Sequence, residues 1–338
     1  MFFRTAFTPS SALFPLFYLF GAWTVNYLFG FISFEYPRQS PLARDAGAAF
    51  VLPILTALLW WGQLVSTSFA IKALSHVASH RRRRNTKKLE KIFENIIDTN
   101  LKKFRVTILF CAIFIAFNYL YWEGLFAPIE NQNHQGQYRY ILFVQALPFW
   151  FCLINFILAL IVVFQLTKIY TIKYLRVRLF EIEEFSPLCN VVMVNFLFSF
   201  LTISTYGING LFIEIPNIDK YVVLIGCLVL AFFLFFPIFI IRKVIKERKE
   251  MMLERINHSL NEQMLTNTDG SSYRRLVDDD IRLQFISDLL IVRKEVNQAP
   301  LWPMSVPFTV KMMLILMLPI VSWMGAGLVS QLLKVLQA

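Results

Sequence analysis

Residues 221–241 read YVVLIGCLVLAFFLFFPIFII, a run without one charged side chain. At this length such a run belongs in lipid. Lipid offers no partner for backbone N–H and C=O groups, so a crossing chain must satisfy them internally, as a helix or a closed barrel. The run is continuous rather than alternating, which selects the helix. A hydrocarbon core of about 30 Å needs roughly 20 helical residues. Segments at about 12–34, 47–72, 106–123, 140–167, 188–212, 221–241 and 309–334 approach or exceed that length. The chain is therefore expected to be an all-α polytopic membrane protein with about seven transmembrane helices.

Composition agrees. With 57% hydrophobic and 16% charged residues, 35 Phe and a mean hydropathy of +0.56, the chain is too apolar for a soluble globular domain. The first segment reads as a permanent helix, because its apolar run exceeds a signal peptide's and no small-residue cleavage site follows FGFISFEYPRQ. The expected division is a six-helix transmembrane region at 1–242, a cytoplasmic helical hairpin at 243–308 and a seventh crossing at 309–338.

Cation placement sets the expected orientation. With the N-terminus inside, only Arg38, Arg44, Arg139, Lys220 and Lys334 of the 33 Lys and Arg fall outside. That is a strong positive-inside asymmetry, and seven crossings then leave the C-terminus outside. The outside loops are short, and none carries an Asn-x-Ser/Thr sequon; Asn257-His258-Ser259 lies inside. A bacterial inner membrane fits that pattern. Cys111, Cys152, Cys189 and Cys227 fall in or beside four different crossings, as buried thiols would, rather than as a disulfide framework or a metal cluster.

The inside segments carry two devices. The first is a cationic cluster, Arg81, Arg82, Arg83, Arg84, Lys87 and Lys88, running into an amphipathic helix at about 86–105. Leu89, Ile92, Phe93, Ile96, Ile97, Leu101 and Phe104 recur at the spacing of one helix face. That helix is expected either to lie among anionic headgroups, at about 1 kcal/mol per cation, or to pack on other cytoplasmic helices. Nucleic acid is the poorer partner. Phosphate needs only charge, whereas the apolar face needs a greasy surface.

The second device is the hairpin. The sixth crossing continues without a breaker, keeping Ile245, Met252, Ile256 and Leu260 near one stripe; TNTDGSSYRR turns the chain. A second helix follows, with Ile281, Phe285, Leu289 and Val292 on one side. Asp278, Asp279 and Asp280 sit where acids favour a helix N-terminus. Capping explains them, with Arg274, Arg275 and Arg282 alongside, more simply than a divalent ion does. Pro300, Pro303 and Pro307 then bend the chain before the last crossing, a hinge candidate, and Trp302 suits an interfacial belt.

No Asp, Glu, Lys, Arg or His clearly occupies the middle of a crossing, which disfavours a proton-coupled carrier. Neutral polar groups do occur at depth: Asn26, Gln63, Asn118, Gln145, Asn155, Asn195, Ser199, Thr202, Ser204 and Thr205. Most suit interhelical hydrogen bonds. In STYGING, Gly207 and Gly210 offer a place for the helix to open. The last crossing presents Ser322, Gly325, Gly327, Ser330 and Gln331, a small, weakly polar surface suited to a pore lining or to close helix packing.

No metalloprotease, α/β-hydrolase or P-loop motif is present, and His76 and His80 lack a carboxylate or thiol to complete a site. No cofactor, metal or catalytic residue is expected. The function expected is an oligomeric channel or passive permease, with the last helix near the pore and the hairpin for assembly or gating. The alternative is a non-conducting anchor or signalling subunit that recruits a cytoplasmic protein; a membrane enzyme comes third. The outline, seven crossings with an inside N-terminus and helices extended into the cytoplasm, is similar to that of insect chemoreceptor channels. No residue motif is shared, so the resemblance carries over no site.

Overall fold

The computed structural model describes residues 9–32, 40–82, 86–122, 140–174, 185–213, 217–265, 280–303 and 306–337. Among the described residues the regular elements are all helical. In chain order they are α1 (Pro9–Leu28), α2 (Pro41–Arg82), α3 (Thr86–Lys103), α4 (Arg105–Trp122), α5 (Tyr140–Tyr174) and α6 (Ser186–Tyr206). A 3-10 turn (Gly207–Leu211), α7 (Asn217–Leu265), α8 (Asp280–Gln298) and α9 (Val306–Gln337) follow.

Five stretches are long and apolar enough to cross a bilayer: Pro41–Ser79, Tyr140–Tyr170, Ser186–Leu211, Val223–Glu262 and Pro307–Val329. The chain therefore has the build of a polytopic membrane protein. The expected seven are not all matched. The apolar stretch of α4 runs only over Arg105–Asn118, short of a full crossing. In α1, Ser10, Ser11, Thr24 and Asn26 dilute its 20 residues.

Helix ends follow local chemistry. α1 stops at Leu28 rather than near residue 34, because Gly30 takes φ 72° and the chain closes a Schellman turn. Gly30 N–H donates to the Tyr27 carbonyl at 3.0 Å and Phe31 N–H to that of Asn26 at 2.9 Å. The Phe31 ring is then buried with Ala49 and Leu142. α2 begins at Pro41, earlier than the apolar run suggests: Ser40 Oγ accepts the Ala43 N–H at 3.1 Å as a cap, and Pro41 needs no N–H partner there. Prolines inside α1, α2, α5, α7 and α9 are tolerated, as in other membrane helices.

α2 is the hub, lying along α5 and α6 with α1 also against it. Indole donors pin α1 there: Trp23 Nε1 to the Phe50 carbonyl at 3.1 Å, and Trp61 Nε1 to that of Ala12 at 2.9 Å. One core, around Trp60, Phe156, Phe196 and Phe200, joins α2, α5, α6, α7 and α9. A second lies at the end from which α7 runs on into the hairpin. There Leu89, Phe93, Ile97 and Leu101 of α3 bury themselves against α2, α5, α6 and α7. Of the two fates open to the amphipathic helix, protein thus covers most of its face; Ile92 and Phe104 stay exposed.

α7 and α8 pack against each other, and the turn expected at TNTDGSSYRR lies outside the described residues. Ile286, Leu289 and Val296, at the spacing of a single helix face, join the core. The anticipated stripe is rotated off it, so Ile281, Phe285 and Val292 are exposed.

Candidate functional site

Three side-chain contacts between helices hold the polar interior together. Asn26 on α1 and Gln145 on α5 exchange amide hydrogen bonds at 3.0 and 2.7 Å, and Asn26 Nδ2 also donates to the Ala49 carbonyl at 2.6 Å. Asn155 Nδ2 on α5 donates to Gln63 Oε1 on α2 at 2.8 Å. Ser66 Oγ on α2 donates to Asn195 Oδ1 on α6 at 2.5 Å. Each such bond contributes about 0.6–1 kcal/mol between membrane helices. These groups therefore fix which helix meets which. The cavity beside Asn195 and Thr167 is about 20 Å³, room for about one water.

The pore candidates do not gather in one place. Asn195 is committed to Ser66, while the Ser199 hydroxyl is buried with no partner among the described residues. Thr202 and Thr205 donate back along α6, to the Phe198 and Leu201 carbonyls at 2.7 and 2.9 Å. On α9, Ser322 Oγ crosses to the Ser204 carbonyl at 2.7 Å. Gly325 and Gly327 face open space, with nothing within 4 Å of where a Cβ would sit. The side chains of Ser330 and Gln331 lie outside the described residues.

Where α6 ends, the helix tightens rather than opens. Gly207 starts the 3-10 turn, and its N–H is shared between the Ser204 and Thr205 carbonyls. Trp323 of α9 sits directly on it: a Cβ on Gly207 would come within 2.5 Å of the indole. Only glycine admits that approach. Ser322 and Trp323 thus dock α9 on α6 along a single line, leaving Gly325 and Gly327 to one side.

The proline bend is clamped. Lys249 Nζ on α7 donates to the Asn297 and Ala299 carbonyls at 2.7 and 3.0 Å, capping the C-terminus of α8, where a cation is favoured. The Arg242 guanidinium lies 4.2 Å over the Trp302 ring, and Phe239 meets that ring edge-on. Cys189 Sγ reaches the Pro303 carbonyl at 3.4 Å. Pro303 is buried and Pro300 and Pro307 are exposed. The bend therefore joins α6, α7, α8 and α9 at one point.

Of the basic cluster, Lys87 and Lys88 are exposed, whereas the side chains of Arg81 and Arg82, and all of Arg83 and Arg84, lie outside the described residues. Asp278 and Asp279 do too. Among the described residues no three His, Cys, Asp or Glu group as a metal site, and the four cysteines are free.

Two features escaped sequence reasoning. Asp45, which precedes the second crossing expected at about 47–72, is buried in α2 with Arg44 Nη2 3.7 Å from its carboxylate. The signal was there in Ser40-Pro41, a cap followed by a first-turn proline. The Lys249 cap had no signal, since its acceptors are 48 and 50 residues away. No protein-family model, curated protein or solved structure matches the chain.

Proposed function

We propose that the chain is a subunit of an oligomeric membrane channel or passive permease, with α9 beside the pore and the α7–α8 hairpin serving assembly or gating. The observation that carries this reading is the one-sided burial of α9. Only 12% of its apolar window is buried, against 61% for α2 and for α6. Its neutral small residues Gly325 and Gly327 lie on the uncovered surface, where weak binding lets water or ions pass. The bundle's own interior is filled by aromatic rings, which favours a path between copies over one through a single copy.

In this reading α1 and α4 complete seven crossings, with the N-terminus cytoplasmic and the C-terminus outside, in a cell membrane such as the bacterial inner membrane. Anionic lipid sits at Arg81–Arg84, Lys87 and Lys88. The clamped bend passes motion of the hairpin to α9. Reconstitution into liposomes tests it: ion flux from a species larger than a monomer is expected, and tight liposomes with a monomer on sizing refute it.

One observation favours the alternative of an anchor that recruits a protein. Ile281, Phe285 and Ile291 of α8 are 80%, 47% and 54% exposed, an apolar face that a partner could cover as well as a second copy. Affinity capture that returns lipid alone would remove that alternative.

A further inference from the structure

We infer that the α7–α8 hairpin holds a binding site for a free anionic amphiphile, its phosphate or carboxylate head taken by Arg248 and Arg255 and its apolar body laid over Met251, Met252, Ile256 and Leu289. A groove of about 290 Å³ lies between the two helices, lined by those residues and Ser259. That volume reaches the lower end of small-ligand sites.

Charge distribution makes the groove selective. On α7 the acids Glu247 and Glu250 lie beside Lys243 and Lys246, and Glu262 lies 3.9 Å from the His258 imidazole, each partner four residues earlier. Glu254 is exposed and off the groove face. Among the described residues neither Arg248 nor Arg255 has an ion-pair partner, so a cationic, acid-free cleft remains. A guanidinium presents planar paired donors that match phosphate or carboxylate. Between and beside the arginines, methionine supplies a soft, adaptable apolar surface. A bare anion would use only half of such a site.

Position decides the source of the ligand. At 1.5 Å per residue, Arg248 lies about 10 Å and Arg255 about 20 Å along the helix beyond Ile241, the last residue of the apolar run. A headgroup layer is only about 5–7 Å deep on each side. A lipid held in the bilayer reaches the near end at most, whereas a dissolved amphiphile reaches both arginines. Nothing in this requires the protein to conduct.

The test uses the full-length protein in neutral phosphatidylcholine nanodiscs, titrated calorimetrically with hexyl phosphate and, separately, inorganic phosphate. Saturable binding of hexyl phosphate is expected, about tenfold tighter than that of inorganic phosphate, a difference of about 1.4 kcal/mol. R248Q/R255Q should weaken it about tenfold or more, R248K/R255K less, since charge survives but the fork is lost. M251S/M252S should remove the preference for hexyl phosphate over inorganic phosphate. All four positions are at the surface, and an unchanged melting temperature checks that the fold is kept. Equal binding by parent and R248Q/R255Q overturns the inference. So does unchanged binding with a fall in oligomeric mass, which gives the arginines to a second copy. Loss of hexyl phosphate binding when phosphatidylglycerol is added to the nanodisc overturns the free source.

Discussion

α2 and α9 are both apolar enough to cross a bilayer, yet one is wrapped by protein and the other lies at its edge. Hydropathy does not distinguish them; the placement of small and polar side chains does. Along α2, Ala43, Ala46, Ala49, Ala57, Ala70 and Ala73 are buried, letting neighbouring helices close in, and Gln63 and Ser66 find partners on α5 and α6. On α9 the Ser322–Trp323 line does this, whereas a Cβ at either glycine that follows would have nothing within 4 Å. Small residues are thus a packing device in one helix and an unspent surface in the other.

The largest effect expected from perturbing this contrast is at the α6–α9 contact. Gly207→Val drives a branched side chain into Trp323 and should cost about 3 kcal/mol, the upper range for overpacking, seen as a lowered unfolding midpoint in detergent. On α2, a Cβ at Gly62 meets Phe156 at 2.9 Å and Phe198 at 3.0 Å, so Gly62→Ala should cost about 1–2 kcal/mol by the same measurement. A double-mutant cycle on Ser66→Ala and Asn195→Ala should return a coupling of about 0.6–1 kcal/mol. Lys249→Met removes the cap on α8 and should cost about 0.5–1 kcal/mol, with faster amide exchange confined to the end of α8. Least of all, Gly325→Ala should leave stability within about 0.5 kcal/mol. A large loss there, or none at Gly62, breaks the contrast.

Much of this architecture can be read in the chain because lipid allows so few solutions. The unbroken α7 and the amphipathic α3 both follow from apolar spacing. What escapes is pairing. Ser66 and Asn195 are 129 residues apart, and nothing local marks which of the many buried polar groups belong together. The rotation of α8 escapes for a related reason. Ile281, Phe285, Ile286, Leu289, Val292 and Val296 are apolar around more than one face, and only α7 selects which side turns inward. The same ambiguity hides the uncovered side of α9: glycines and serines read alike whether they meet a helix, lipid or water.

That last distinction has a direct measurement. With Cys111, Cys152, Cys189 and Cys227 replaced by alanine, Gly325→Cys in flux-competent liposomes can be exposed to a small charged thiol reagent. If α9 borders a water path, position 325 reacts readily and flux falls. If the cysteine stays unmodified while flux persists, α9 faces lipid and the channel assignment of this helix is wrong.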